Sequence, residues 1–418
     1  MGWNEFGFLV PQQIGECGDD CGCIQVCPFN PFPKDEVKTE DELANIFLNN
    51  ARYNHPKVGK FERIYAGYSN AFRETSSSGG MATFIFMKIF EAKVADAILV
   101  VAEKEGFYEY QLLRPDDLMK SSKTKYYPVT LDTVFKHIDQ YEGKVAVVGV
   151  ACFIKAIRLA QHTTPMLRTK ITFLVGIICG GLKSAFFTDY LASRVGFEEN
   201  SYKDPNYRIK NPKSTASDYS FGCTSIAEPA VSNEIKMKLV GDMWGSGLFK
   251  ANACDFCEDV TTELADISLG DAWISPYAND GKGTSVIVTR SPVGERLIQD
   301  GINKQELTLE DLGVERLIKS QKGSFNHRHK GLLYRITKRK EAGLLVPPKR
   351  QRNLKPVNFL FTRVQRARMR TRESSLRLWK ELQNAGAFDR AMSGNFKRLK
   401  DATRLYHFFR KLKMKLRL

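Results

Sequence analysis

Four of the chain's nine cysteines fall within eleven residues, in the run Cys17-Gly-Asp-Asp-Cys21-Gly-Cys23-Ile-Gln-Val-Cys27, and Pro28 follows. Soft thiolates drawn from one short loop suit an iron–sulfur cluster or zinc. In a reducing compartment such density points to metal or redox chemistry rather than to a disulfide framework. Cys23-x3-Cys27-Pro28 matches the end of the ferredoxin-type run C-x2-C-x2-C-x3-C-P, and Cys17 stands at the matching overall distance. The second cysteine is displaced by one residue, to Cys21. Pro28 tips the reading towards iron–sulfur, with zinc and a reactive or structural set as alternatives.

The other cysteines are dispersed. Cys254-Asp-Phe-Cys257 is a C-x2-C pair. Cys152 follows the run Lys144-Val-Ala-Val-Val-Gly-Val, and Cys179 follows Ile171-Thr-Phe-Leu-Val-Gly-Ile-Ile. Both runs are short, apolar and β-branched, so they predict buried strands. Each cysteine then sits just past the carboxyl end of its strand, the edge at which open α/β sheets bind ligands. Together with the C-x2-C pair they form a candidate four-ligand site. The alternative is that Cys152 and Cys179 are small buried hydrophobes, a common use of free cysteine. Cys223 has no partner at useful spacing and reads as structural.

Strand and helix patterns alternate from about Tyr65 to Asp300. Strands are predicted over Ala97–Ala102, Lys144–Val150, Ile171–Ile178 and Ser285–Arg290, and helices over Met81–Lys93, Phe153–His162, Ser184–Arg194 and Pro292–Gly301. The alternation predicts an α/β fold with a mixed or largely parallel sheet. Three parts are expected: a small ferredoxin-like cysteine segment over 1–60, an α/β core over 61–330, and a basic, largely helical C-terminal extension over 331–418. The zones 211–224 and 241–284 read as loop-rich, and 344–356, with Pro347-Pro348-Lys349-Arg350, reads as a linker.

The charge is uneven. Lys and Arg total 63 against 47 Asp and Glu, yet 25 of the basic and only 5 of the acidic residues lie in 331–418. The body is near neutral, which argues against a protein that coats nucleic acid uniformly; no nucleic-acid motif is seen either. In the tail Leu399, Ala402, Tyr406, Phe409, Leu412 and Leu416 recur at steps of three and four, flanked by lysines and arginines. Such a helix either lies on an anionic membrane or acidic partner, or packs its stripe on the protein's own core. The N-terminus carries no secretory pattern, and the longest apolar run, Ile171–Leu182, is short of the roughly 20 residues a span needs. The expected location is cytoplasmic, with peripheral contact at the inner face of the membrane through 357–418 as the further option.

Two segments have the chemistry of phosphate sites. Ser76-Ser77-Ser78-Gly79-Gly80 opens a helical pattern, where hydroxyls, glycines and free helix N–H groups together receive an anion. Lys282-Gly283-Thr284-Ser285 offers a cation, a bendable residue and two hydroxyls at a strand start. Neither P-loop nor dinucleotide fingerprint is present. Beside metal-type cysteines, these segments suggest a phosphate-bearing cofactor. No catalytic acid or base is identified.

Taken in order, these segments resemble the coenzyme F420 hydrogenase/dehydrogenase beta-subunit family of iron–sulfur flavoproteins, from about residue 15 to 300. The N-terminal cysteine loop is similar to that family's ferredoxin-like segment, and Arg73-Glu-Thr-Ser-Ser-Ser-Gly-Gly-Met-Ala-Thr to its S-S-G-G segment. Lys125-Tyr126 resembles the end of G-S-K-Y, and Val148-Gly-Val-Ala-Cys152-Phe-Ile-Lys-Ala-Ile-Arg158 resembles V-G-T-P-C-Q-I-A-A-L-R. Cys179-Gly180-Gly181 resembles C-H-G without its histidine. Cys254-Asp-Phe-Cys257, then Ala265-Asp-Ile-Ser-Leu-Gly-Asp271-Ala-Trp273, resembles C-x-x-C followed by S-D-I-T-L-G-D-x-W. Lys282-Gly-Thr-Ser285 resembles K-G-T-S.

The resemblance implies FAD held by Ser76, Ser77, Ser78, Gly79, Gly80, Lys125, Tyr126, Asp271, Lys282, Gly283, Thr284 and Ser285. It also implies a 4Fe-4S cluster on Cys152, Cys179, Cys254 and Cys257. The loop with Cys17, Cys21, Cys23 and Cys27 would carry a further one, so one or two clusters are expected. The implied activity is that of an oxidoreductase exchanging electrons with ferredoxin or another redox partner protein. Its substrate would be a small molecule, either coenzyme F420 or a polysaccharide-biosynthesis intermediate. The competing reading is a zinc-bearing binding module without redox activity, tethered by its basic tail.

Overall fold

Strand character in this chain comes from short β-branched runs, and eight strands pair into one sheet. The computed structural model describes residues 1–16, 22–104 and 107–415. The strands are β1 (Arg63–Ser69), β2 (Ala97–Lys104), β3 (Phe107–Leu113), β4 (Val145–Val150), β5 (Ile171–Ile177), β6 (Ile267–Asp271), β7 (Ser285–Thr289) and β8 (Leu307–Asp311), in the order β8-β1-β7-β6-β5-β4-β2-β3. β6, β5, β4 and β2 are mutually parallel; the flanking pairs are antiparallel. The sheet is therefore mixed around a parallel centre.

The period-two alternation of a pleated strand sorts side chains to two faces. Ile98, Val100, Ala146, Val148, Phe173 and Val175 pack under the helices α1 (Met81–Glu91) and α4 (Pro292–Asn303). Ala97, Leu99, Val145, Val147, Ile171 and Leu174 face the other way, onto α2 (Ala151–Thr163) and the helix Asp132–Gln140. Helices thus cover both faces, as a parallel sheet requires.

A third core lies beyond the sheet edge. There α3 (Phe186–Arg194) and the small sheet of Tyr202–Ile209, Ser220–Ser225 and Ser232–Lys236 meet the C-terminal hairpin of α5 (Phe359–Leu382) and α6 (Ala385–Lys415). Phe187, Tyr190, Tyr207, Phe221 and Phe249 pack with Trp379, Phe388 and Met392. The basic extension therefore shares a core with residues far upstream.

The zones 241–284 and 211–224 are mostly irregular, as expected, though the first also holds β6, a central strand, and the second most of the strand Ser220–Ser225. Other expectations are corrected. The stretch 344–356 is not a free connector: Arg350 is 3% exposed and its Nη1 lies 2.7 Å from Glu263. The helix after β4 starts at Ala151, so Cys152 lies in its first turn rather than before it. The tail stripe divides. Leu399, Ala402 and Tyr406 are buried against Phe361 and Val364, whereas Phe409 and Leu412 are exposed, as are Phe408 and Met414. Leu416, like Cys17 and Cys21, lies outside the described residues. No helix among the described residues is long and apolar enough to cross a membrane.

Candidate functional site

Because β4, β5 and β6 run parallel, Val150, Ile177 and Asp271 end at the same edge. β7 starts there too, with Ser285 opposite Asp271, and β1 brings Gly67 opposite Ser285. Every segment singled out in the core then has to emerge along one line.

At its centre are the sulfurs. Cys152, Cys179, Cys254 and Cys257 are near enough that each interacts electrostatically with others of the set. Burial pushes the Cys152 thiol up, and its three sulfur neighbours push it further. Burial also raises Cys179, Cys254 and Cys257, while Arg328 pulls each of them back down. The N–H of Gly181 donates to Cys179 Sγ at 3.2 Å, and that of Leu182 to Cys254 Sγ at 3.2 Å. Arg328 Nη1 donates to Cys257 Sγ at 3.2 Å. Burial works against the charge of Arg328, yet negative charge on the neighbouring sulfurs and on Asp259 outweighs it and holds that guanidinium above its usual range. A single π-helical turn, Asn326–Lys330, carries it in; such turns often mark functional sites. Among the described residues, no group of three or more His, Cys, Asp or Glu could hold a metal ion. The sulfurs share a neighbourhood without closing on one point.

The histidine missing after Cys179 has a steric reason. A Cβ on Gly180 would lie 2.9 Å from the Trp244 indole. That ring packs edge-on against Tyr126, with centroids 4.8 Å apart.

Alongside lies the serine–glycine turn. Gly80 is left-handed at φ 77° and starts α1 without a side-chain cap, so the first helical N–H groups are free for an anion. The turn abuts Lys282–Ser285 closely. A Cβ on Gly79 would lie 2.8 Å from Ser285 Oγ, and one on Gly283, at φ +84°, 2.9 Å from Ser78 Cα. Thr124 N–H donates to Ser77 Oγ at 3.0 Å, which brings the Lys125-Tyr126 segment to the same turn. Asp271 accepts from Arg208 Nη1 at 2.7 Å, and Arg208 stacks over Trp273 at 5.6 Å.

Cations crowd this turn. Arg73 Nε donates to the Gly283 carbonyl at 2.9 Å; Lys210 Nζ donates to the carbonyls of Arg73 at 2.6 Å and Lys282 at 2.9 Å. Burial, then neighbouring Lys123, Arg73 and Arg208, pushes Lys210 down to about 8, and burial alone pushes Lys125 down to about 8. Ser78 Oγ and Arg208 Nε are buried without a hydrogen-bond partner. An anion seated here would relieve both the repulsion and the unpaired donors.

Arg208, Lys210 and Arg328 escaped the sequence reading. The first two flank Ile209, the last residue of a strand that reads as polar, and Arg328 sits among His327, His329 and Lys330 in what looks like ordinary surface charge. Only Arg73, beside the serines, carried a local signal. Cys23 and Cys27 belong to the short helix Gly22–Gln25 and the turn that follows it; Cys23 is exposed, and Cys27 lines a small cleft that Lys155 of α2 also lines. Cys17 and Cys21 lie outside the described residues.

Residues 64–136 match the family described as the N-terminal part of the coenzyme F420 hydrogenase/dehydrogenase beta subunit, and residues 142–314 match the C terminus of the same beta subunit. The coenzyme F420-dependent sulfite reductase of Methanocaldococcus jannaschii is 22% identical over 336 residues, covering 74% of this chain and 46% of that protein. The chain thus spans about half the length of that curated relative. An uncharacterised protein of the same organism is 24% identical over 252 residues, 58% of this chain and 86% of its own length. Among solved structures, a chain of the F420-reducing [NiFe] hydrogenase complex from Methanosarcina barkeri is similar at a TM-score of 0.54 and 20% identity, over 72% of this chain and 99% of that one. That likeness concerns the fold.

Proposed function

The chain belongs to the coenzyme F420 hydrogenase/dehydrogenase beta-subunit family, and on that premise we propose that it is an oxidoreductase carrying FAD and one or two 4Fe-4S clusters. The observation that carries the reading is the single sheet edge at which four cysteines stand beside a cationic serine–glycine turn. Cys152, Cys179, Cys254 and Cys257 would hold one cluster. Their shared neighbourhood and the N–H and guanidinium donors directed at three of them support that assignment. Cys17, Cys21, Cys23 and Cys27 would hold a second. Ser76, Ser77, Ser78, Gly79, Gly80, Lys125, Tyr126, Asp271, Lys282, Gly283, Thr284 and Ser285 would receive the flavin.

When bound, the flavin exchanges two electrons with an organic substrate and the clusters pass them singly. The chain's own groups supply position and field. Arg73 and Lys210, already tied to the turn's carbonyls, present positive charge to the cofactor's phosphates. Arg328 and the two N–H donors compensate negative charge at the sulfurs, which favours the reduced state of a centre held there. The one-electron partner is proposed to be ferredoxin or another redox protein. The relatives' names put coenzyme F420 first among two-electron substrates, ahead of a polysaccharide-biosynthesis intermediate. For the tail we propose peripheral contact with an anionic membrane through the exposed end of α6.

Anaerobic purification with flavin, iron, sulfide and zinc determinations tests the reading. Flavin absorbance with iron and acid-labile sulfide is expected. Stoichiometric zinc with neither flavin nor sulfide would replace it by the binding-module reading.

A further inference from the structure

Behind the sulfur group, on the side roofed by α5, is a cavity of about 280 Å³. Lys250, Arg328, Arg335, Arg368 and Arg372 line it, against two carboxylates, Asp242 and Asp255. Asp255 is already committed, to Lys250 at 2.7 Å and Arg372 at 2.7 Å. Four of the residues that line it each carry a buried nitrogen without a hydrogen-bond partner: Arg335 Nη2, Gln365 Nε2, Arg368 Nε and His327 Nδ1. Arg335 is 1% and Gln365 0% exposed. The rest of each group is engaged. Arg335 Nε donates to the Asp255 carbonyl at 2.7 Å, and Arg335 Nη1 to Gln365 Oε1 at 2.7 Å. Gln365 Oε1 is thereby used, and its amide nitrogen is left over. Lys250 Nζ lies 2.8 Å from His327 Nε2, nearer than Asp255 Oδ1 at 3.5 Å; with Lys250 as an ammonium, which only donates, Nε2 accepts and Nδ1 carries the ring proton.

All four are thus N–H donors on side chains that line one space with excess positive charge. Buried donors are rarely left unpaired without cause. A cation would be repelled, and a neutral alcohol would satisfy too few of them. A compact group with several acceptor oxygens meets the whole set, as arginine forks do with oxyanions.

We propose that this chamber binds a phosphate- or sulfate-class oxyanion, either free or as the head of a small molecule. The proposal is independent of the flavin and cluster assignments. Arg335, Gln365 and Arg368 lie beyond residue 314, where the family match ends.

The test is titration calorimetry of the full chain with inorganic phosphate, sulfate and glycerol 3-phosphate, against chloride at matched ionic strength. Saturable phosphate binding is expected. Arg368→Gln should weaken it about tenfold or more, and Lys210→Gln, in the serine–glycine turn, should leave it unchanged. Should Arg368→Gln not fold by circular dichroism, Gln365→Leu serves in its place with the same expectation. Glycerol 3-phosphate binding more tightly than phosphate assigns the site to an anionic head; equal or weaker binding assigns it to the free oxyanion. Absence of saturable binding overturns the proposal. So does binding that Lys210→Gln abolishes and Arg368→Gln spares.

Discussion

Arg328 reaches the sulfur group from a segment more than seventy residues beyond Cys254, and it contacts Cys257 Sγ, the Cys179 carbonyl and the Asp259 carbonyl. Replacing it by methionine keeps bulk and removes every donor. Arg328→Met is expected to lose about half or more of the parent's iron and sulfide after anaerobic purification, while flavin content is preserved. Gly283→Ala is expected to do the reverse. Its Cβ would strike Ser78 in a backbone conformation that disfavours any side chain, so flavin occupancy should fall about tenfold or more with iron retained. Asp189 offers a pH signature away from the site. Burial, then Glu199, raises its carboxyl to about 6, while Tyr202 donates to it at 2.7 Å. Between about pH 4 and pH 6 the folded carboxyl keeps a proton that the unfolded one has lost. Stability from this group is full below that window and is lost as pH rises through it. Asp189→Asn should therefore raise Tm at pH 7, on the order of 2–4 °C, and the gain should vanish by pH 4 in thermal melts.

At the scale of elements, the stretch 344–356 shows how composition misleads. Two prolines and a run of basic residues read as a connector, because nothing local reveals that Glu258 and Glu263 wait for Arg350. Asn353 also donates to Glu258, at 2.6 Å. Removing Arg350 leaves buried carboxylates uncompensated, so Arg350→Met should cost about 3–5 kcal/mol, read as a lower urea midpoint. β2, β4, β5 and β7 were legible because each is a run of apolar, largely β-branched residues. β6, Ile-Ser-Leu-Gly-Asp, was not: glycine and aspartate speak for a turn, and its strand identity comes from β5 and β7 on either side. For the cysteines, the ends of β4 and β5 pointed to one edge, but their meeting with the C-x2-C pair depends on crossovers that periodicity does not encode.

Across the whole molecule, the basic excess of the last fifth divides into two uses. Arg335, Arg350 and Arg372 turn inward to carboxylates and carbonyls. The residues past Tyr406 run on beyond the start of α5, where Phe408, Phe409, Leu412 and Met414 are exposed among arginines and lysines. Removal of 408–418 is expected to leave Tm unchanged and to abolish co-sedimentation with anionic vesicles at low salt. Truncation at 357 should instead give insoluble protein, because Trp379 and Phe388 close the aromatic core around Phe249. The amphipathic stripe was visible in the sequence; that its first half is spent internally and its second half is not could be seen only once α5 was set against it.

The hairpin follows Cys257 by about a hundred residues in chain order. During synthesis, then, the sulfurs leave the ribosome well before α5, whose Arg372 pairs with Asp255 between Cys254 and Cys257. The segment from Cys254 to Cys257 is therefore made long before the arginine that anchors its aspartate, so this ion pair is among the later contacts to form.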